Sequence, residues 1–304
     1  MELNPIHVRT LQEVVRRGGV SRAAEALRLS QPALSHHLRH LERALGTPLL
    51  ERVGARVRPT PAGELLLAHA ARAFRELDAA REGIERLRGA VVGRIRLGTG
   101  ATAAIYLLPP LLRRLHARYP GIELALVTGN TAEIAAAVVR GEIDAALVTL
   151  PVAGRVLAVS HAFPDRLVAI APPGQPWRGR PRIGAAELAR EPLILYERGG
   201  TSRQVIDDWF RRAGVQPRVT MEVGNAEAIK RLVGAGLGLS VGSAMSVRAE
   251  VRARELVAVE LAPPLVRRLA LVRRRDRALG PAMTALLAEM DRFLPTAARA
   301  AAGR

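Results

Sequence analysis

The spacing of apolar residues changes once along this chain, near residue 90, and no other feature limits its fold so much. Up to residue 89 the apolar positions recur every three or four residues, a helical period. From Gly93 onward short β-type runs alternate with helical stretches. The β-type runs are 95–97, 122–127, 145–148, 167–170, 193–195, 219–223, 239–241 and 269–272. Such alternation predicts βαβ units in a largely parallel sheet, covered by helices on both faces. Eight runs suit one large sheet or two smaller ones. Two architectures therefore share the 304 residues, and 49% apolar content with a mean hydropathy of +0.09 excludes a disordered chain.

Before the change, Ser21 ahead of Arg22-Ala23-Ala24-Glu25-Ala26-Leu27 reads as an N-cap on a short helix. Arg28-Leu29 form a tight break. Ser30 caps a second helix, whose early Pro32 sits where a missing N–H costs nothing. Leu34, Leu38, Leu41 and Leu45 make one apolar stripe along that helix, Gly46 stops it, and Ala23, Ala24 and Ala26 allow the first helix to approach closely. The other face carries Gln31, Ser35, His36, Arg39, His40 and Arg43. A helix anchored by leucines and presenting donors suits the major groove of duplex DNA, where side chains read base edges. Residues 49–60 then form two strand-like halves around Gly54, with Arg52, Arg56 and Arg58 available to phosphates or the minor groove. Together these predict a winged helix-turn-helix over 1–60; an ordinary helical hairpin is the alternative.

The stretch 61–89 is one long helix by pattern, with Leu67, Ala70, Phe74, Leu77, Ile84 and Leu87 at spacings of a coiled-coil seam. It either packs on its own domain or dimerises and links two domains. The net charge of +18 favours a polyanionic partner, although the excess is spread over 1–60 and 94–304 and marks no single face. Cysteine is absent, which removes disulfides, thiolate nucleophiles and zinc–sulfur sites. Met1-Glu2-Leu3-Asn4-Pro5 lacks a secretory pattern, and no run reaches the ~18 apolar residues of a membrane span, so a cytoplasmic protein with no membrane partner is expected. His36, His37 and His40 present a base or phosphate contact, a solvated face, or a metal site; only Glu42 stands near as a further ligand, so no metal is expected.

In α/β sheets, ligands bind at the carboxyl ends of strands. At those ends stand Gly98-Thr99-Gly100-Ala101-Thr102, Thr149, the run 196–203 with Gly199, Gly200, Thr201 and Ser202, and Val223-Gly224-Asn225. The run at 196–203 is the best anion cradle, and Arg198 and Arg203 beside its glycines point to a small anionic metabolite. Nucleophile-elbow, phosphate-loop and zinc-protease motifs are all missing, so neither an enzyme nor a cofactor is expected.

Several of these segments together resemble the LysR-type transcriptional regulators. They are 21–27, Ser30-Gln31-Pro32-Ala33-Leu34-Ser35, Leu41-Glu42, Leu45-Gly46, Leu49-Leu50-Glu51-Arg52 and Thr60-Pro61-Ala62-Gly63. The resemblance covers the whole chain and implies a multidomain α+β and α/β protein. Its parts would be a winged helix-turn-helix, a linker and dimerisation helix at 61–89, and a doubly wound effector domain at 93–304 resembling the type 2 periplasmic binding proteins. Subdomain I would span about 93–161 and 268–304, and subdomain II about 162–267, with hinges at 161–164 and 263–267. Gln31, Pro32, Ser35 and Arg39 would face DNA with Arg52 at the wing, alongside Ser21, His36, Arg56 and Arg58. Thr99, Gly100, Thr102, Thr149, Thr201, Ser202 and Asn225 would line an effector cleft between the subdomains. In one place the chain departs from the pattern: His36 and His37 follow Ser35, where many members carry arginine and a polar residue. Asn130-Thr131-Ala132-Glu133-Ile134, 201–203 and 225–230 also resemble the branch controlling carbon-fixation or sulfur-assimilation genes. The implied function is a metabolite-controlled regulator whose partners are double-stranded DNA, a small effector, RNA polymerase, and further copies of itself as a homodimer or homotetramer. The rival reading is a solute-binding protein with an incidental N-terminal helical domain.

Overall fold

Asn4 begins the first helix, its side chain accepting the Ile6 amide at 2.9 Å, and Gly18 ends it with φ of 65°. This helix, α1 (Pro5–Arg17), is followed by α2 (Val20–Leu27), α3 (Gln31–Leu45), the hairpin of β1 (Leu50–Val53) and β2 (Arg56–Pro59), and α4 (Pro61–Leu87). The computed structural model describes residues 3–53, 56–87, 91–174 and 179–301. They form two compact units, divided between Ala80 and Arg81.

In the first unit Val8, Leu11 and Val14 of α1, Ala23 and Ala24 of α2, and Leu34, Leu38 and Leu41 of α3 close one core, with Leu49 and Ala70 completing it. Two expectations fail here. Ser21 is not a cap, because α2 starts one residue earlier, behind Gly19, and Ser21 is an exposed residue inside the helix. The leucine stripe stops at Leu41: Leu45 is 40% exposed, and Ala26 also faces outward. Both sit at helix ends. Of the seam on α4, Leu67, Ala70 and Phe74 pack on this core, while Leu77 and Ile84 are exposed. Residues 88–89 of the expected linker lie outside the described residues, as does the side chain of Leu87.

The Thr60-Pro61-Ala62-Gly63 motif has a mechanical reason. The Thr60 hydroxyl donates to the Pro48 carbonyl at 2.8 Å and accepts from the Gly63 amide at 3.1 Å, so it ties the hairpin to the first turn of α4. A Cβ at Gly63 would run into the Leu49 carbonyl oxygen, so only glycine lets α4 close on the strand.

The second unit opens with β3 (Gly93–Thr99), α5 (Ala101–Tyr106), α6 (Leu108–Arg118), β4 (Ile122–Thr128), α7 (Thr131–Arg140) and β5 (Ala145–Thr149). The long strand β6 (Leu157–Ala171) leads into β7 (Arg182–Gly184), α8 (Ala185–Leu188), β8 (Leu193–Tyr196), α9 (Thr201–Arg212), β9 (Val219–Val223), α10 (Ala226–Gly234), β10 (Ser240–Ser243) and α11 (Arg248–Arg252). The 18-residue β11 (Val257–Arg274) returns, and α12 (Pro281–Ala301) follows.

Apolar alternation explains the layering. In β5, Ala145 and Leu147 face α5, α6 and α12, whereas Ala146 and Val148 face α7. In β6, Leu167, Ala169 and Ala171 pack with α8 and α9, whereas Val168 and Ile170 pack with α10. Strands buried on both faces read as continuous apolar runs, which is why the sequence displays them so clearly.

The expectation of a largely parallel sheet is corrected. The seven-stranded sheet runs β10-β6-β11-β5-β3-β4, with β7 also on β11. Its β3–β4, β3–β5 and β7–β11 pairs are parallel, but β10–β6, β11–β6 and β11–β5 are antiparallel. Strands β8 and β9 pair in parallel separately, and Leu193 bridges Leu239. The cause lies in β6 and β11, which run antiparallel to each other through both halves of the unit. Where they pass from one half to the other, their register shifts between Glu260 and Leu265 and again between Leu269 and Leu271, and His161 adopts φ of 52°.

Candidate functional site

Helix α3 has the better-defined ends of the two in the helix-turn-helix. The Ser30 hydroxyl accepts from the Ala33 amide at 3.3 Å, and Gly46 closes the other end at φ 67°. With Leu34, Leu38 and Leu41 inward, Gln31, Pro32, His36, Arg39, His40 and Arg43 are exposed, and Ser35 is half-buried. The hairpin pairs Glu51 with Arg58 and Arg52 with Val57, and Arg52 and Arg58 are exposed. Arg56 lies opposite Val53 in β2, but its side chain, and Gly54 with Ala55, lie outside the described residues.

One feature of this surface escaped the sequence reading. His7 of α1 stacks on His37 with ring centroids 4.4 Å apart and meets His40 edge-on at 4.9 Å, so four imidazoles cluster on α1 and α3. The Thr10 hydroxyl lies 3.1 Å from Nδ1 of His37, and Nδ1 of His7 is buried with no hydrogen-bond partner. The signal was weak, because His7 stands 29 residues from His36. Among the described residues no group of three or more His, Asp or Glu is set to hold a metal ion.

Burial, then the neighbouring His37, His40 and His36, holds the His7 pKa below its ordinary value. The folded state therefore binds fewer protons than the unfolded chain, and stability rises with pH. The His7 contribution is intact above about pH 6.5, the unperturbed histidine value, and is lost as pH falls from there through the lower folded-state value. Thermal unfolding between pH 7.5 and 5 is expected to show this loss in the first unit, and His7→Gln is expected to flatten it. An unchanged slope in that variant would refute the assignment.

In the second unit, the ends of β3, β5 and β8 and the starts of α5, α9 and α10 carry the remaining candidates. Thr99 is fully buried, its hydroxyl donating to the Leu147 carbonyl at 2.8 Å. Gly100 precedes α5, and Thr102 stands in its first turn. Thr149 is buried at the end of β5. Thr201 and Ser202 open α9 behind Gly200, which provides no side-chain cap, leaving first-turn amides for other acceptors. The Asn225 side chain is already used as the cap of α10, accepting the Glu227 amide at 2.7 Å.

Charge is arranged otherwise than expected. Arg203 is buried and committed to Asp207 at 2.8 Å, Glu222 at 3.0 Å and the Tyr196 carbonyl at 2.6 Å, while Arg198 also pairs with Glu222. The Arg198 and Arg203 hydrogen bonds hold the Glu222 pKa below the usual carboxylate range. Arg203 is thus held within its own half by Asp207 of α9 and Glu222 of β9, and exposed Arg198 shares Glu222. Arg267, at the edge of the expected hinge 263–267, stands beside the start of α9. It is 4% exposed, paired with Asp165 at 2.7 Å, and its other arm reaches the Ser202 hydroxyl at 2.6 Å. Asp165 also accepts from Ser243 at 2.6 Å. Only the pairing of β11 with β6 puts Arg267 opposite Asp165.

A recognition helix with an arginine-bearing wing, joined to a two-half α/β unit with a polar seam at its strand ends, defines a ligand-controlled DNA-binding protein. Residues 6–64 match the family described as bacterial regulatory helix-turn-helix protein, lysR family, and residues 88–294 match the LysR substrate binding domain. The chain belongs to the LysR family of DNA-binding transcriptional regulators, with an effector-binding domain. It is 36% identical over 285 residues to the HTH-type transcriptional regulator CbbR of Xanthobacter flavus, covering 91% of this chain and 85% of that one. It is 34% identical to the RuBisCO operon transcriptional regulator of Allochromatium vinosum, covering 93% of each. A solved structure of full-length OxyR from Pseudomonas aeruginosa, in a variant form, superposes with a TM-score of 0.75 at 25% identity, covering 96% of this chain and 95% of that one. No helix among the described residues is long and apolar enough to cross a membrane.

Proposed function

We propose that this chain regulates a carbon-fixation operon in response to a small anionic metabolite bound between the two halves of its effector unit. In this reading it acts in the cytoplasm as a homodimer or homotetramer, contacts RNA polymerase at the promoter, and catalyses no reaction. The names of the similar CbbR and RuBisCO operon regulators support the choice of operon. Exposed Leu77 and Ile84 on α4 supply an apolar stripe for a second copy.

For DNA, α3 enters the major groove with Gln31, Pro32, Ser35, His36 and Arg39. Ser21 and the wing residues Arg52, Arg56 and Arg58 contact the flanking backbone. For the effector, Thr99 and Gly100 present backbone, and Thr102, Thr149, Thr201, Ser202 and Asn225 present polar groups. The observation that carries the anionic class is Arg267, a buried guanidinium at the uncapped start of α9. A guanidinium beside free helix amides favours phosphate or carboxylate. Domains at 1–60, 61–89 and 93–304 would then read DNA, pair copies and sense the metabolite.

Mobility shift on the chain's own upstream region tests the reading. Log K is expected to fall linearly with log[salt]. Ser35→Ala or Arg39→Ala is expected to weaken specific binding by about 1–3 kcal/mol, with little loss on random DNA. Absence of retardation at low salt would favour a solute-binding protein instead.

A further inference from the structure

Lys230 is the single lysine among 46 basic residues, and it is buried, at 5% exposure. Its ammonium meets four oxygens: the Tyr106 hydroxyl at 2.6 Å, the Ser246 carbonyl at 2.9 Å, Glu250 at 2.5 Å and Glu227 at 3.0 Å. Three of these partners belong to the same half of the effector unit as Lys230, between β6 and β11. Tyr106 does not; it ends α5 in the other half. Its hydroxyl also donates to the Glu227 carboxylate, and the Lys230 ammonium lies 5.0 Å from its ring centroid.

We infer that Tyr106 is a removable pin across the cleft and that Lys230, Glu227 and Glu250 form the socket that receives it. The pin holds α5, and the proposed effector residues at its start, against the opposite half. Its regulatory consequence rests on the cleft being the effector site; the pin itself does not.

Three features suit this part to repeated opening. The ion pairs of the socket lie within one half, so withdrawal of Tyr106 leaves Lys230 with both carboxylates and the Ser246 carbonyl, and no charge is stranded. Burial and the Glu227 hydrogen bond raise the Tyr106 pKa, so the pin is a neutral phenol that donates to Glu227 and accepts from Lys230. A compact ammonium with three rotatable donors fits converging acceptors, whereas the planar five-donor fork of arginine does not. The single lysine of the chain stands at this cluster of converging acceptors. Thr102 and Tyr106 are also one helical turn apart on α5. A ligand touching Thr102 is thereby coupled to the pin.

Hydrogen exchange followed by mass spectrometry on the full chain tests this without knowledge of the effector. Each net hydrogen bond is worth roughly two- to tenfold in an equilibrium. Tyr106→Phe is therefore expected to speed exchange of 101–106 and 226–234 by about tenfold, leaving 95–99 and 269–272 as protected as in the parent. Lys230→Arg is expected to loosen the same two segments. Unchanged exchange there in Tyr106→Phe would overturn the pin, and loosening that spreads into 95–99 would make Tyr106 a general packing residue. Parent-like protection in Lys230→Arg would overturn the socket's demand for lysine. Retardation of DNA by the same samples is a separate readout: its failure in the parent would sink the proposed function and leave the pin standing.

Discussion

Asp165→Ala is expected to destabilise the effector unit by about 3–5 kcal/mol, because it leaves a buried guanidinium without its counter-charge. Asp165 is 1% and Arg267 4% exposed, and among the described residues their 2.7 Å contact is backed by the Ser243 and Ser202 hydroxyls. Neither serine neutralises a cation. Both tryptophans of the chain, Trp177 and Trp209, lie in this unit, and Trp209 is in its core, so fluorescence in urea reads its unfolding selectively. The midpoint should fall with an unchanged slope. The double variant Asp165→Leu with Arg267→Met should recover much of the loss, since it removes the stranded charge and refills the space. A single variant as stable as the parent would mean that water reaches Arg267, and its place as the preformed anion partner would go with it.

Leu34→Ala should act on the other unit. Leu34 is fully buried where α1, α2 and α3 meet, and such a truncation costs about 2–5 kcal/mol. A unit of this size has only about 5–15 kcal/mol to lose. DNA retardation should therefore fail at moderate temperature and part of the helical signal in circular dichroism should melt early, while the tryptophan transition stays in place. Leu45→Ala, four residues beyond the last buried leucine, should stay within about 0.5 kcal/mol of the parent. Equal damage from both would reinstate the longer stripe. Leu34→Ala and Arg39→Ala thus weaken DNA binding for separable reasons, one by unfolding the scaffold and one by removing a surface donor.

Much of the winged helix-turn-helix was legible because its determinants are local. Ser30, Pro32 and Gly46 mark the ends of α3 within a few residues of where they act, and the apolar period places Leu34, Leu38 and Leu41 inward. The β-type runs of the second unit were legible for the same reason, being strands buried on both faces. The long extent of β6 and β11 was not. Their middle sections carry Ser160, His161, Pro164, Pro263 and Pro264, which read as loop, and they remain extended because each supplies the other's hydrogen bonds. Ser21 misled as a cap because Gly19 allows α2 to begin before it.

The candidate site divides along the same line. The hydroxyl-bearing residues at strand ends could be found one loop at a time, since a strand-to-helix turn announces itself in a few positions. Which charges those loops meet could not. Arg203 is neutralised by Glu222, 19 residues away, while Arg267 meets Asp165 across 102 residues and Tyr106 meets Lys230 across 124. Amino-acid order alone determined the local elements, the two architectures and the family, because helix ends, periods and motifs are written in neighbouring residues. Tertiary structure decided which charges meet, because a charge is neutralised by whatever lies within a few ångströms, and only chain folding sets that neighbour.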